Sequence, residues 1–187
     1  MSAKRLALSA ALVVAVGAVL AFALWPRDEK PAPPRSLCFG TVGERTAALL
    51  DDGPGGRIDM DEFERKGEGG FAFFRSCIAR RDNPGGDGTR TTYSIVMQDA
   101  KSAVGRPKGS VPLGDGFTGW VLRDRAEAQL PAGCAAKAGS TAPHVTVELD
   151  VPFQAEKRNV VDRETAVRNS STVLREVVTN LARNLGC

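Results

Sequence analysis

Histidine is almost missing from this chain: His144 is the only one among 187 residues. An imidazole base therefore has a single candidate, and His144 opens an alternating apolar stretch, where it reads as an exposed strand-start residue. Zinc is disfavoured on the same ground, because the four cysteines never stand as a C-x-x-C pair and there is no second histidine. The G-x-S-x-G elbow of serine hydrolases is absent. So is the phosphate-binding P-loop, since Gly85, Gly86 and Gly88 lack the Lys and the Ser or Thr that complete it. Ser-Lys and paired-carboxylate chemistry need none of these features and stay open. An excess of basic charge is also lacking where it would count. The formal net charge of +3 resides in residues 1–37, and residues 38–187 carry acidic and basic side chains in equal number. Such a neutral domain, slightly acidic before residue 100 and slightly basic after it, has no electrostatic footprint for nucleic acid. No cofactor motif and no internal repeat is present.

What the chain does have is an uncharged run, Leu6–Trp25, preceded by Lys4 and Arg5. As a helix it would be about 30 Å long, the hydrocarbon thickness of a bilayer. Positive charge on its amino side alone keeps residues 1–5 cytoplasmic and sends the remainder outward. The run is read as one N-terminal transmembrane helix, residues 6–25, with Trp25 at the headgroup boundary. A cleaved signal ending in Ala21-Phe22-Ala23 is the competing reading, and it exports the same domain. A buried soluble helix would need a core surrounding it on every face. A lipoprotein signal is set aside because the first cysteine, Cys38, lies well past the apolar run. Residues 26–37, with Pro26, Pro31, Pro33 and Pro34 among charges, form a semi-rigid linker.

Residues 38–187 suffice for one domain with its own core. All four cysteines, Cys38, Cys77, Cys134 and Cys187, fall within it, and in an exported domain they read as two disulfides. Three pairings are open, of which Cys38 with Cys187 and Cys77 with Cys134 is the expectation, tying the two chain ends together.

Thr41 and Glu44 form a capping-box pattern opening a short helix through Leu50. Arg57–Phe63 alternates and reads as an edge strand; Phe71–Ile78 and Thr89–Gln98 read as a hairpin across the loop Asp82–Gly88. Glycine and proline density from Lys101 to Gly119 disfavours any long regular element and suggests an ordered loop or flap. Trp120–Leu122 is a short strand, a second loop surrounds Cys134, and His144–Val151 alternates cleanly. In the last segment Val167, Val173, Leu174, Val177, Val178, Leu181 and Leu185 recur at helical spacing, between Asp162 as N-cap and Gly186 as terminator, with Arg175 and Glu176 on the solvent side. Laid across an antiparallel sheet, this long C-terminal helix gives an α+β domain.

The sharpest local pattern runs from Asp51 to Glu62 and partly matches a calcium loop, with Asp51, Asp59 and Glu62 at liganding positions. Gly53 and Gly55 occupy two positions that ordinarily supply oxygens, so a glycine turn into a charged edge strand explains it better. Asp59 and Asp61 near the flap are the carboxylates an envelope enzyme would use, although such a run usually marks a solvated edge. Phe71, Phe73, Phe74, Phe117 and Trp120 read as core rather than as the lining of a ligand cleft. The anchor, the proline spacer, the Leu37-Cys38-Phe39-Gly40 opening and the Gly186-Cys187 close together resemble small membrane-anchored exported proteins of high-GC bacteria. That resemblance implies a cell-envelope location and brings no activity and no site residue. The expectation is a tethered, non-catalytic extracytoplasmic domain without a cofactor, bound to the membrane by its helix and to an envelope protein partner by its surface.

Overall fold

The computed structural model describes residues 36–50, 53, 56–68, 71–114, 116–152 and 161–187. The apolar run 6–25, the linker up to residue 35, and Asp51 lie outside the described residues. Among those described, no helix is long and apolar enough to cross a membrane.

A ribbon of β1 (Ser36–Leu37) and β2 (Val42–Gly43) leads into α1 (Glu44–Ala47) and a 3-10 turn (Ala48–Leu50). β3 (Ile58–Glu68), β4 (Phe71–Asp82) and β5 (Thr89–Ala100) form one antiparallel meander, and β6 (Val111–Gly114), β7 (Phe117–Val121) and β8 (Arg125–Gln129) form a second. α2 (Cys134–Lys137) precedes β9 (His144–Asp150), and α3 (Arg163–Leu185) follows. β9 inserts between β5 and β8, giving one antiparallel seven-stranded sheet in the order β3-β4-β5-β9-β8-β7-β6. The fold is α+β, as the pattern of elements predicts. Glycine density misleads between 101 and 119: β6 and most of β7 lie there, because four- and five-residue strands leave little periodicity to read.

Alternation decides which face is inner. In β5 Tyr93, Ile95 and Met97 are buried while Ser94, Val96 and Gln98 are partly exposed, the period of two that a pleated strand imposes. α3 crosses the inner face of β6 to β9 and buries Val173, Leu174, Val177, Val178 and Leu181 against it. Each such side chain contributes about 1.5 to 3 kcal/mol as an upper estimate of burial. The Asp162 side chain caps the helix by accepting from Thr165 N at 2.9 Å, which holds its carboxyl below the usual range. Gly186 ends it at φ 73°, with Cys187 N donating to Ala182 O.

In the segment 36–50, the turn at Cys38 and Phe39 meets the inner face of β3 and β4 through Cys77, Glu62 and Arg75. Thr41 is not the cap of α1: its hydroxyl donates to Cys38 O, and Gly43 occupies the N-cap position. Helix polar groups hold this segment down. Glu176 accepts from Gly43 N at 2.8 Å and from the Thr46 hydroxyl, and Asn180 donates to Thr41 O. Arg175 donates to Leu113 O and lies over the Phe117 ring, fixing the β6–β7 hairpin. Arg175 and Glu176, expected on the solvent side, are therefore half-buried tertiary contacts.

The cysteines pair as Cys38–Cys77 and Cys134–Cys187, with Cα separations of 5.2 and 5.3 Å. This corrects the expected Cys38–Cys187 and Cys77–Cys134 pairing. Cys38 is bonded to Cys77 of β4, whereas the end of α3 comes to rest beside α2, so Cys38 and Cys187 sit over different parts of the sheet. Asp99, 8% exposed, accepts from Ala72 N, Phe73 N and the Ser140 hydroxyl, and so ties the start of β4 to the loop before β9.

Tyr93, the only tyrosine, is buried with its hydroxyl toward Met60, and burial pushes its phenol up to about 12 from 10.0. Because the folded state holds the neutral phenol, this stabilisation is whole below pH 10 and is lost as pH rises through 12, by about 2 to 3 kcal/mol. Stopped-flow absorbance at alkaline pH is expected to show phenolate appearing only with unfolding. Rapid ionisation near pH 10 in folded protein would refute it.

Candidate functional site: the outer sheet face

The register places residues from every strand in rows on the face opposite α3. One row runs Phe63, Ser76, Val96, Glu148, Glu127, Trp120, Pro112 from β3 to β6. A second contains Phe74, Gln98, Thr146 and Gln129, and a third Asp61, Ile78, Ser94, Asp150 and Arg125.

The two halves of this face differ. Residues 101–110 must travel from the end of β5 to the far edge, where β6 begins. On the way Val104 N donates to the Gln129 side chain, and near the edge Gly109 O accepts from Arg163. The segment anticipated as an ordered loop or a flap thus runs as a strap past Gln129 of β8 toward the β6 edge. Trp120 and Thr146, each 5% exposed, lie on this outer face.

Beyond the strap, β3, β4 and β5 place Phe63, Phe74, Ile78 and Val96 around Ser76 on the outer face. Phe63 is 50% exposed and meets Phe74 edge to face at 6.2 Å, with Arg65 over its ring. The exposed Phe63 and the half-buried Phe74, Ile78 and Val96 stand around Ser76 on this face, an apolar grouping of the kind that marks an interaction site. Asp61 paired with Arg80, and Glu148 paired with Arg125, border it.

At the centre of the sheet, Glu127 and Glu148 are directly opposed on β8 and β9, where facing Cβ atoms come within about 5 Å. Burial and then Glu148 repulsion raise the Glu127 carboxyl above its usual range. Trp120 Nε1–H stands outside hydrogen-bond geometry, and with Arg125 it offsets only part of the rise. Glu148 in turn holds Arg125 more firmly in its charged form. The pair can accept from a cationic or hydroxyl donor. Since the charged Glu127 is disfavoured in the fold, Glu127→Gln is expected to stabilise the protein slightly at pH 7, by no more than about 0.5 kcal/mol after solvent screening. Below pH 4, where the wild-type carboxyl is protonated, the gain should vanish. Melting curves at both pH values check this, and equal gains would contradict it.

The residues singled out from sequence disperse. Asp59 and Glu62 are three apart on β3 and so point to opposite faces. Asp59 pairs with Arg57 at 2.7 Å, and Glu62 accepts from Phe39 N at 2.8 Å. They do not surround one cation. Asp59 and Asp61 stand on β3, the edge opposite the strap and the β6–β7 hairpin. His144 begins β9, half-buried rather than fully exposed. Of the aromatics, Phe73 is core and Phe117 lies under Arg175, while Phe74 and Trp120 belong to the outer face. Glu127 and Glu148 carried a signal, the polar side of alternating strands, whereas Val96 breaks that alternation in β5, and only the β5–β9 and β8–β9 pairings bring the three together.

Comparison with known proteins yields no match: no family profile, curated protein or solved structure is similar to this chain. The fold and its cross-links define an α+β domain carrying two disulfides, a pairing state that belongs to an oxidising compartment.

Proposed function

We propose that this protein is a non-catalytic binding domain of the cell envelope, held at the membrane by its N-terminal segment with residues 38–187 outside the cytoplasm. Its recognition surface is the open β3–β5 half of the outer face. Export is supported by the two disulfides, and tethering by the uncharged run Leu6–Trp25 behind Lys4 and Arg5. The observation that carries the reading is the apolar grouping of exposed Phe63 with half-buried Phe74, Ile78 and Val96, bordered by opposite charges.

A photo-crosslinking residue at position 96 of the full chain, in intact cells, tests it. Val96 stands two strands in from the edge. A discrete crosslinked species from position 96, absent when the crosslinker replaces the exposed Arg183 at the end of α3, is the expected result. Finding no discrete species from position 96 overturns the reading.

A further inference from the structure

The apolar grouping gives way to charge where β5 meets β9. Val96 stands opposite Glu148, Glu148 opposite Glu127, and Glu127 opposite Trp120, so a carboxylate pair separates the grouping from a buried indole. The fold leaves this pair incompletely satisfied. Arg125 reaches Glu148 with Nε and with a terminal nitrogen, both to Oε1, which leaves Oε2 without a donor among the described residues. Glu127 fares no better. The side-chain donor that bears on it is the Trp120 N–H, which stands outside hydrogen-bond geometry although Trp120 is only 5% exposed and its Nε1 is buried with no other acceptor. A buried indole N–H in that state is uncommon, because it has given up water for nothing. Charge is unbalanced as well, since Glu127, Glu148 and Asp150 all act on the single guanidinium of Arg125.

We propose that Glu127 and Glu148 receive a lysine ammonium from the protein that docks on the neighbouring apolar grouping. The identity of the partner rests on the binding reading above, whereas the cation site does not. The open oxygens belong to two residues on adjacent strands, whose Cβ atoms lie about 5 Å apart. A compact ammonium with three rotatable donors can reach both, while a planar guanidinium fork suits the two oxygens of one carboxylate. A hydroxyl would complete the site only by accepting from the indole N–H, which is buried. An aminolipid headgroup brings a phosphate beside its ammonium, and three carboxylates repel it. A lysine brings an apolar stem instead, which can lie along Val96. Beneath the ammonium Glu127 stays ionised, and the Trp120 N–H gains a charged acceptor.

The full chain in mild detergent, with Trp25→Phe so that Trp120 is the only indole, tests this by the NMR shift of the Trp120 Nε1–H at constant ionic strength. Butylammonium chloride should shift that resonance saturably. Tetramethylammonium, with the same charge and no N–H donor, should not. Glu127→Gln should raise the half-saturating butylammonium concentration about 10-fold or more, the loss expected when a charge-assisted hydrogen bond goes. N-acetyl-lysine amide should match butylammonium, and phosphoethanolamine should bind more weakly. Equal responses to both ammonium ions, a response that survives Glu127→Gln, no response at all, or saturation by calcium chloride at lower concentration would each overturn the site. Phosphoethanolamine binding more tightly than N-acetyl-lysine amide would overturn the lysine assignment. Butylammonium binds or fails with no partner present, whereas crosslinking from position 96 needs one, so the two readings fail separately.

Discussion

Replacing Cys134 and Cys187 by serine lowers the stability of the domain by about 4 kcal/mol, and replacing Cys38 and Cys77 does the same to a similar extent. The bridges close loops spanning 53 and 39 residues, respectively. The logarithmic growth of loop entropy makes such lengths nearly equivalent in that model. Against a total of 5 to 15 kcal/mol for an ordinary domain, either loss is a large fraction, and the thermal midpoint should fall by about 10 to 15 °C. The two variants should nevertheless fail differently. Without Cys134–Cys187 the end of α3 loses its bond to α2, whereas without Cys38–Cys77 the segment 36–50 loses its hold on β4. That segment carries Cys38 and Phe39 in left-handed backbone, at φ 54° and 58°, a conformation unfavourable for residues with a Cβ. Hydrogen exchange should therefore localise new exposure to α2 and the last turns of α3 in the first variant, and to β1, β2 and α1 in the second. Denaturant midpoints unchanged from wild type, or a peptide map joining Cys38 to Cys187, would contradict this account.

How much of this was legible in the sequence depended on whether the information was local. The hairpin of β4 and β5, the alternation of β9 and the apolar stripe of α3 are all local patterns, and each element stands where its period predicts. The edge position of β3 was legible too, from the charges that interrupt its apolar residues. The disulfide pairing was not, because it depends on the Cys38 turn meeting β4 while the end of α3 meets α2, a long-range outcome. Arg175 and Glu176 show the same limit on a smaller scale. Helical periodicity assigns them to solvent, and only the arrival of the β6–β7 hairpin and of Gly43 gives them partners. For the candidate site the gap is wider. Its apolar patch draws one or two residues from each of three strands, and its carboxylate pair needs β8 beside β9. No single stretch of chain records either arrangement.

Gly119 carries the last large expectation. It counted in the sequence as one more glycine in a stretch too irregular for a strand, yet it lies inside β7, directly opposite Ala128 of β8. A Cβ at this position would stand 2.5 Å from Glu127 O and 2.9 Å from the Ala128 Cα. Both obstacles are backbone atoms of a strand held on its far side by β9, so neither can swing away as a side-chain tip would. Gly119→Ala must therefore push β7 off β8, at a cost of about 3 kcal/mol and about 10 °C in thermal midpoint. The displacement acts on the outer face as well, because Glu127 O belongs to the residue whose carboxylate opposes Glu148. The variant should thus let water reach Glu127 more freely and draw its carboxyl back toward the ordinary range, detectable by carbon-detected NMR titration. Alanine accepted without loss of stability would mean that β7 and β8 do not approach as closely as the described geometry requires. Because Gly119 stands on β7 while the bridges join Cys38 to β4 and Cys187 to α2, its effect should add to theirs in the combined variant.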